Sequence, residues 1–187
     1  MEDGLARAAT DVLNPFTLFT ALYAAAALSL SGLPGGLLYI AAELLAASAV
    51  AGCVLLLRRR GLAGDFWLSG RAERPLPAAF LMGAFAALLG ALAALDAPEE
   101  LFLLTLSMGL ASAAVALLTL RWKASAHCAV AGHAATAGLL VFGPWGLPFA
   151  ALLPAVLWAR LALGAHTPAQ ALAGTAVGAA SALLLLA

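Results

Sequence analysis

The chain has 187 residues, 65% of them hydrophobic and only 10% charged, with nine basic and nine acidic side chains. Soluble domains run nearer half apolar and a quarter charged, so the composition excludes one and points to an integral membrane protein. With a net charge of zero there is no basic footprint for nucleic acid, and no nucleic-acid partner is expected.

The first residues, "MEDGLARAATDVLN", lack the basic region and small-residue cleavage pattern of a leader, so none is expected to be removed. A hydrocarbon core about 30 Å thick takes roughly 20 apolar residues per helix. On that ruler seven spans are expected, near 15–31, 34–57, 76–95, 99–120, 126–143, 147–163 and 168–187. The breaks are "SGLPGG", a charged loop at 58–74, "DAPEE", "RWKAS", "FGPWGLP" and "GAHTP". The sixth span is short and contains Pro154. The abundant Ala and Gly suit close helix packing. The fold class predicted is all-α: a single polytopic transmembrane helical bundle of six or seven spans over residues 1–187. Cys53 and Cys128 both fall in apolar runs and read as free thiols.

Charge orients the bundle. Seven alternating spans put the N-terminus and the loops at 58–74, 121–125 and 164–167 on one side, with every Lys and Arg on or near it. The opposite loops carry Asp96, Glu99 and Glu100 and no base. The positive-inside rule makes the basic side cytoplasmic, and the expected location is a prokaryotic inner membrane.

Three polar clusters converge on that side: "DFWLSGRAERP" at 65–75, "KASAH" at 123–127 and "RLALGAHTPAQ" at 160–170. Two histidines and several cations without a carboxylate cluster describe a site for an anion, most economically a phosphate. No metal cofactor is expected, because the histidines have no Asp, Glu or Cys set at ligand spacing and the surplus positive charge repels a cation.

These clusters resemble the motifs of the type 2 phosphatidic acid phosphatase (PAP2) superfamily. Its last motif, S-R-x5-H-x3-D, is similar to Ala159-Arg160, His166 and Gln170, with Gln in place of the acid. Its P-S-G-H motif is similar to Ala124-Ser125-Ala126-His127. Of its K-x6-R-P motif only Arg74-Pro75 remains, and Trp67 stands at the lysine position. The resemblance covers about 65–178 and implies a PAP2-like core in a divergent branch.

What it implies is a cofactor-free membrane phosphatase acting on a lipid phosphate, with membrane lipids as its other partners. His166 would attack phosphorus to form a phosphohistidine, and His127 would protonate the leaving alkoxide. Arg160 would clamp two phosphate oxygens bidentately. Ser125 and the amides beside it would add hydrogen bonds, and Lys123, Arg71 or Arg74 would replace the missing lysine. Gln170 would hold the tautomer of His166 through a neutral hydrogen bond.

Plainer readings stand beside these. Thr167-Pro168-Ala169-Gln170 is also a capping box, and Ser125 is also a helix cap. His133 reads as a hydrogen-bonded bundle histidine and "RRR" at 58–60 as a topology anchor. Trp67, Trp122, Trp145 and Trp158 read as interfacial anchors. Glu43 lies mid-span, where a carboxyl must face protein or water; it reads as a structural hydrogen-bonding group, with a place on a substrate path as the alternative. A reading from another class is a non-catalytic protein that binds or transports an anionic lipid; a third is phosphotransfer to an acceptor other than water.

Overall fold

The structure is a computed structural model that describes residues 2–65, 73 and 75–187. Its described residues form seven α-helices: α1 (Glu2–Val12), α2 (Pro15–Arg59), α3 (Pro75–Ala94), α4 (Glu99–Thr119), α5 (Ala126–Phe142), α6 (Leu147–Ala162) and α7 (Pro168–Leu186). A 3₁₀ turn at Gly143–Gly146 joins α5 to α6. Five stretches are long and apolar enough to cross a membrane, two of them being Pro15–Arg59 and Ala126–Ala162. The protein is thus an all-α helical membrane bundle.

Both of those longer stretches fold back on themselves. In α2 the break is Gly32, with φ 65° and ψ −173°, two residues before Pro34. A side chain pays steric strain at that φ and glycine does not. The limbs 15–31 and 33–59 then run antiparallel. A Cβ on Gly36 would lie 2.9 Å from Leu28 Cα, and the Thr20 hydroxyl donates to Glu43 Oε1 at 2.8 Å. The second reversal is at Gly143, φ 58°, where α6 turns back along α5 and Phe149 stacks on Phe142 with ring centroids 6.2 Å apart. Seven antiparallel limbs result, broken where the Gly- and Pro-rich sequences predict.

Three helix ends share one device. After α2, Gly61 N–H bonds Arg58 O and Leu62 N–H bonds Leu57 O; after α6, Gly164 N–H bonds Leu161 O and Ala165 N–H bonds Arg160 O. After α3, Asp96 and Ala97 bond Ala93 O and Leu92 O in the same way. Each is a Schellman motif with a left-handed residue satisfying carbonyls that the helix leaves open. Alternation places Arg58, Arg59, Arg121, Lys123 and Arg160 at one end of the bundle, and Asp96, Glu99 and Glu100 at the other.

The central element is α5, whose residues 127–135 are all buried. Against it α7 packs in parallel at backbone distance. A Cβ on Gly178 would run into Ala129 O, one on Gly174 into Ser125 O, and one on Gly132 would lie 2.5 Å from Thr175 O. Gly174 and Gly178 are one turn apart, the small-residue spacing that lets membrane helices approach closely. Ser125 N–H donates to Gln170 O at 3.3 Å, which fixes the register of the pair. On the other flank the Ser107 hydroxyl donates to Leu104 O at 2.9 Å and lies 2.8 Å from His133 Nε2, tying α4 to α5.

This last contact shows how deep the N-terminus of α5 lies. From it α4 runs twelve residues to Thr119, whereas α5 runs back only seven to Ala126. The difference of five residues is about 7.5 Å at helical rise. The start of α5 is therefore recessed below the basic end of α4. The sequence reading gave no helix to residues 2–12; they form α1, which packs on α6 with Ala6 and Thr10 buried and Leu5 and Val12 exposed.

Candidate functional site

His166 sits on a five-residue turn clamped at both ends. Gly164, in the left-handed region, ends α6 after Arg160, and Thr167 caps α7 immediately after the histidine. Thr167 Oγ1 accepts from Gln170 N–H at 3.4 Å and Gln170 Oε1 accepts from Thr167 N–H at 3.1 Å, a complete capping box. The turn is also tied sideways, since Lys123 Nζ donates to Ala165 O at 3.0 Å. A short turn held by a Schellman motif, a capping box and a lysine has little freedom, and it carries the histidine with it.

His127 is in the first turn of α5 and only 5% exposed. It lies within electrostatic reach of both Arg160 and His166. Arg160 occupies the last turn of α6. Lys123, His127, Arg160 and His166 all line one cavity of about 1140 Å³. The structure thus brings together four of the residues singled out by sequence. The N-terminus of α5 adds its own partial positive charge there, with Ala126 also on the cavity wall.

Two of the expected residues are placed otherwise. Ser125 is fully buried as the cap of α5, its Oγ accepting from Cys128 N–H at 3.3 Å; Ala124 and Ala126 on either side line the cavity and it does not. Gln170 is outside the lining too, and its side-chain oxygen serves the capping box. That oxygen has a second lone pair, so one hydrogen bond from Thr167 does not exhaust it. Arg71, Arg74 and Trp67 lie outside the described residues. His133 is fully buried away from the cavity, on Ser107. Cys53 and Cys128 are free thiols.

The rest of the cavity is mostly apolar, with Ser112 and Thr119 among its lining, and it runs away from the basic end between α2, α3 and α4. Among the described residues its one acidic group is Glu43, 3% exposed, deep in the bundle and away from the four cationic and imidazole groups. The cavity itself was missed by the sequence reading. Apolar side chains facing a cavity and those facing lipid have the same composition, and Glu43 was the only mark of a wall that is not simply lipid-facing.

An amphiphile fits this arrangement chemically: two imidazoles, a guanidinium and an ammonium for an anionic group at one end, and hydrocarbon walls beyond it. No protein-family model, curated protein or solved structure matches the chain. The family resemblance rests on the short motifs at 74–75, 123–127 and 160–170.

Proposed function

We propose that the protein is a membrane lipid-phosphate phosphatase, a divergent relative of the type 2 phosphatidic acid phosphatases. It would hydrolyse a phosphomonoester or diphosphate of a lipid, of isoprenoid or phosphatidate type. One observation carries this reading: His127, Arg160 and His166 share a cavity whose remaining walls are mostly hydrocarbon. An anion site alone would not need those walls, and a lipid-packing groove would not need two imidazoles beside an arginine.

In the proposed reaction Arg160 holds two phosphoryl oxygens through parallel N–H donors, which a lysine could not match in geometry. Lys123 adds a point charge. A ring nitrogen of neutral His166 attacks phosphorus, and the P–O bond to the lipid breaks as His127 delivers a proton to the departing oxygen. Neutral His127 then takes a proton from water, whose oxygen attacks phosphorus and breaks the N–P bond. Phosphate leaves and His166 is regenerated. The recessed start of α5 suits a headgroup drawn slightly below the surface while its tail stays among apolar helices. The basic end is proposed to face the cytoplasm, from the asymmetry of Lys and Arg between the two ends.

The test is phosphate release by the purified protein from a panel of lipid mono- and diphosphates, with and without EDTA. Release that persists in EDTA supports a histidine-based phosphatase. Specific binding of the same lipids with no turnover would instead make this a binder or transporter of anionic lipids.

A further inference from the structure

A hydroxyl inside an apolar helix usually satisfies its proton on a carbonyl about one turn back. On α4, Thr105 Oγ1 donates to Leu101 O at 2.8 Å and Ser107 Oγ to Leu104 O at 2.9 Å. On α7, Thr175 Oγ1 and Ser181 Oγ donate to Ala171 O and Gly178 O in the same way. Ser112, further along α4, does not. It is half-buried on the cavity wall, its oxygen is open to the cavity, and it has no hydrogen-bond partner among the described residues.

The register of α4 on α5 fixes the height of this hydroxyl. Ser107 Oγ lies 2.8 Å from His133 Nε2. From that contact Ser112 is five residues toward the basic end of α4, and His127 is six residues toward the same end of α5. At helical rise their levels differ by about 1.5 Å. Both line the cavity, on neighbouring helices. Every described residue that α3 contributes to the lining, from Pro75 to Leu88, has an apolar side chain. Ser112 is thus a hydrogen-bonding group at the height of His127, in a part of the cavity that is otherwise hydrocarbon on the α3 side.

We propose that Ser112 is a specificity-determining residue, whose hydroxyl donates to an ester oxygen carried by the lipid beside its phosphate, so that glycerol-type lipid phosphates are preferred to isoprenoid ones. The proposal rests on the lipid-phosphate reading and narrows its substrate class. In that reading His127 meets the leaving oxygen, so the lipid atoms next to that oxygen pass the level of Ser112. In a phosphatidate the second carbon from the leaving oxygen bears an ester, and the ester carbonyl accepts a hydrogen bond. An isoprenoid phosphate has only hydrocarbon there. It displaces water from the serine and offers no acceptor in return. Ser112 can then turn to a backbone carbonyl one turn back, as its neighbours on α4 do, so the loss is that of one ordinary hydrogen bond. The preference expected is about fivefold.

The test uses the full-length protein in dodecyl maltoside with equal amounts of hexadecylphosphonate and its 3-acetoxy derivative. Neither can be hydrolysed, and the second carries its ester where a phosphatidate does. Native mass spectrometry reads the ratio of the two that stays bound. The wild type is expected to favour the ester-bearing chain about fivefold. Ser112→Ala should bring the ratio close to one, by weakening the ester-bearing ligand alone. Ser112→Thr keeps a hydroxyl at the position and should keep the preference, which shows that the loss in Ser112→Ala is not one of folding. A ratio near one in the wild type, or a preference that Ser112→Ala leaves unchanged, overturns the proposal. The matching alcohols, hexadecanol and its 3-acetoxy derivative, test the reading beneath it. If they bind as tightly as the phosphonates with the same Ser112-dependent preference, the serine contact stands and the phosphate site falls.

Discussion

The two halves of this bundle are built on opposite packing rules. In the α5–α6–α7 half, glycines bring backbones together: Gly132, Gly174 and Gly178 sit where any Cβ would strike the neighbouring main chain. In the α2–α3–α4 half, the two limbs of α2 meet closely at Gly36, but α2, α3 and α4 line most of a cavity of about 1140 Å³. Gly83 and Gly90 on α3 lie exposed on the outer face of the bundle, with open space where a Cβ would go. The chemistry-bearing side chains belong to the tight half or to the turn it clamps, and the hydrocarbon walls belong to the loose one. The lesson is a division of labour. On the proposed function, proton transfer and in-line attack need groups held within a fraction of an ångström, whereas a lipid tail needs room.

The sharpest break of that comparison is to remove the chemistry and keep the tight half. His166→Ala should abolish turnover, because no other group takes the place of the nucleophile, and His127→Ala should lower kcat on the order of 10²–10⁴-fold as a lost general acid. His166 lies on a turn outside the helix–helix contacts, so its melting temperature in detergent should hardly move. Near-native turnover in a folded His166→Ala protein would sink the phosphohistidine route.

Next in size is an attack on the packing itself. Gly178→Ala sets a methyl against Ala129 O and 2.8 Å from His133 N. Backbone cannot yield as a flexible side chain can, so α7 must move off α5, at a cost of about 1–3 kcal/mol. The shift loads the Ser125–Gln170 backbone bond that registers α5 on α7, so turnover per folded molecule should fall with the melting temperature. Unchanged values for both would mean that the α5–α7 contact does not position the site.

Smaller again is Gln170→Leu, which opens the capping box and should lower stability by about 1 kcal/mol. If Gln170 only caps, kcat per folded molecule stays put. If its remaining lone pair also steadies His166, kcat falls sharply and Gln170→Asp raises it or shifts its pH optimum, by supplying charge to the imidazolium. Kinetics measured beside thermal melting distinguish the two outcomes.

What could be read from sequence follows the same divide. Most of the seven limbs were legible because they break at a glycine or proline that the backbone requires, as Gly32, Pro34, Gly143 and Gly164 show. His127, Arg160 and His166 were legible because polar groups in an apolar chain need a reason, and the structure brings them to one cavity. Ser125 and Gln170 were ambiguous in sequence for a physical reason: an N-cap and an anion donor ask for the same residue types at the same helix end. Helix α1 was missed because eleven residues with Asp3, Arg7 and Asp11 among them are too short and too charged to register as a span. The cavity was invisible because Val50, Val54, Met82 and Phe85 would look the same facing lipid. Only Glu43 broke that symmetry.

The smallest effect tests the loose half directly, and its sign is opposite. Gly83→Ala adds a methyl to α3 where nothing lies within 4 Å. No neighbour has to move, so the change acts through backbone freedom alone. Alanine loses less conformational entropy than glycine on forming a helix, and the expected result is a gain of about 0.5–1 kcal/mol. The melting temperature in detergent should therefore rise slightly for Gly83→Ala and fall for Gly178→Ala, although the two substitutions are chemically identical. Turnover should be untouched by the first, since Gly83 does not line the cavity. Should Gly83→Ala destabilise the protein as much as Gly178→Ala does, the outer face of α3 would be covered as closely as the α5–α7 contact, and the contrast between the two would fail.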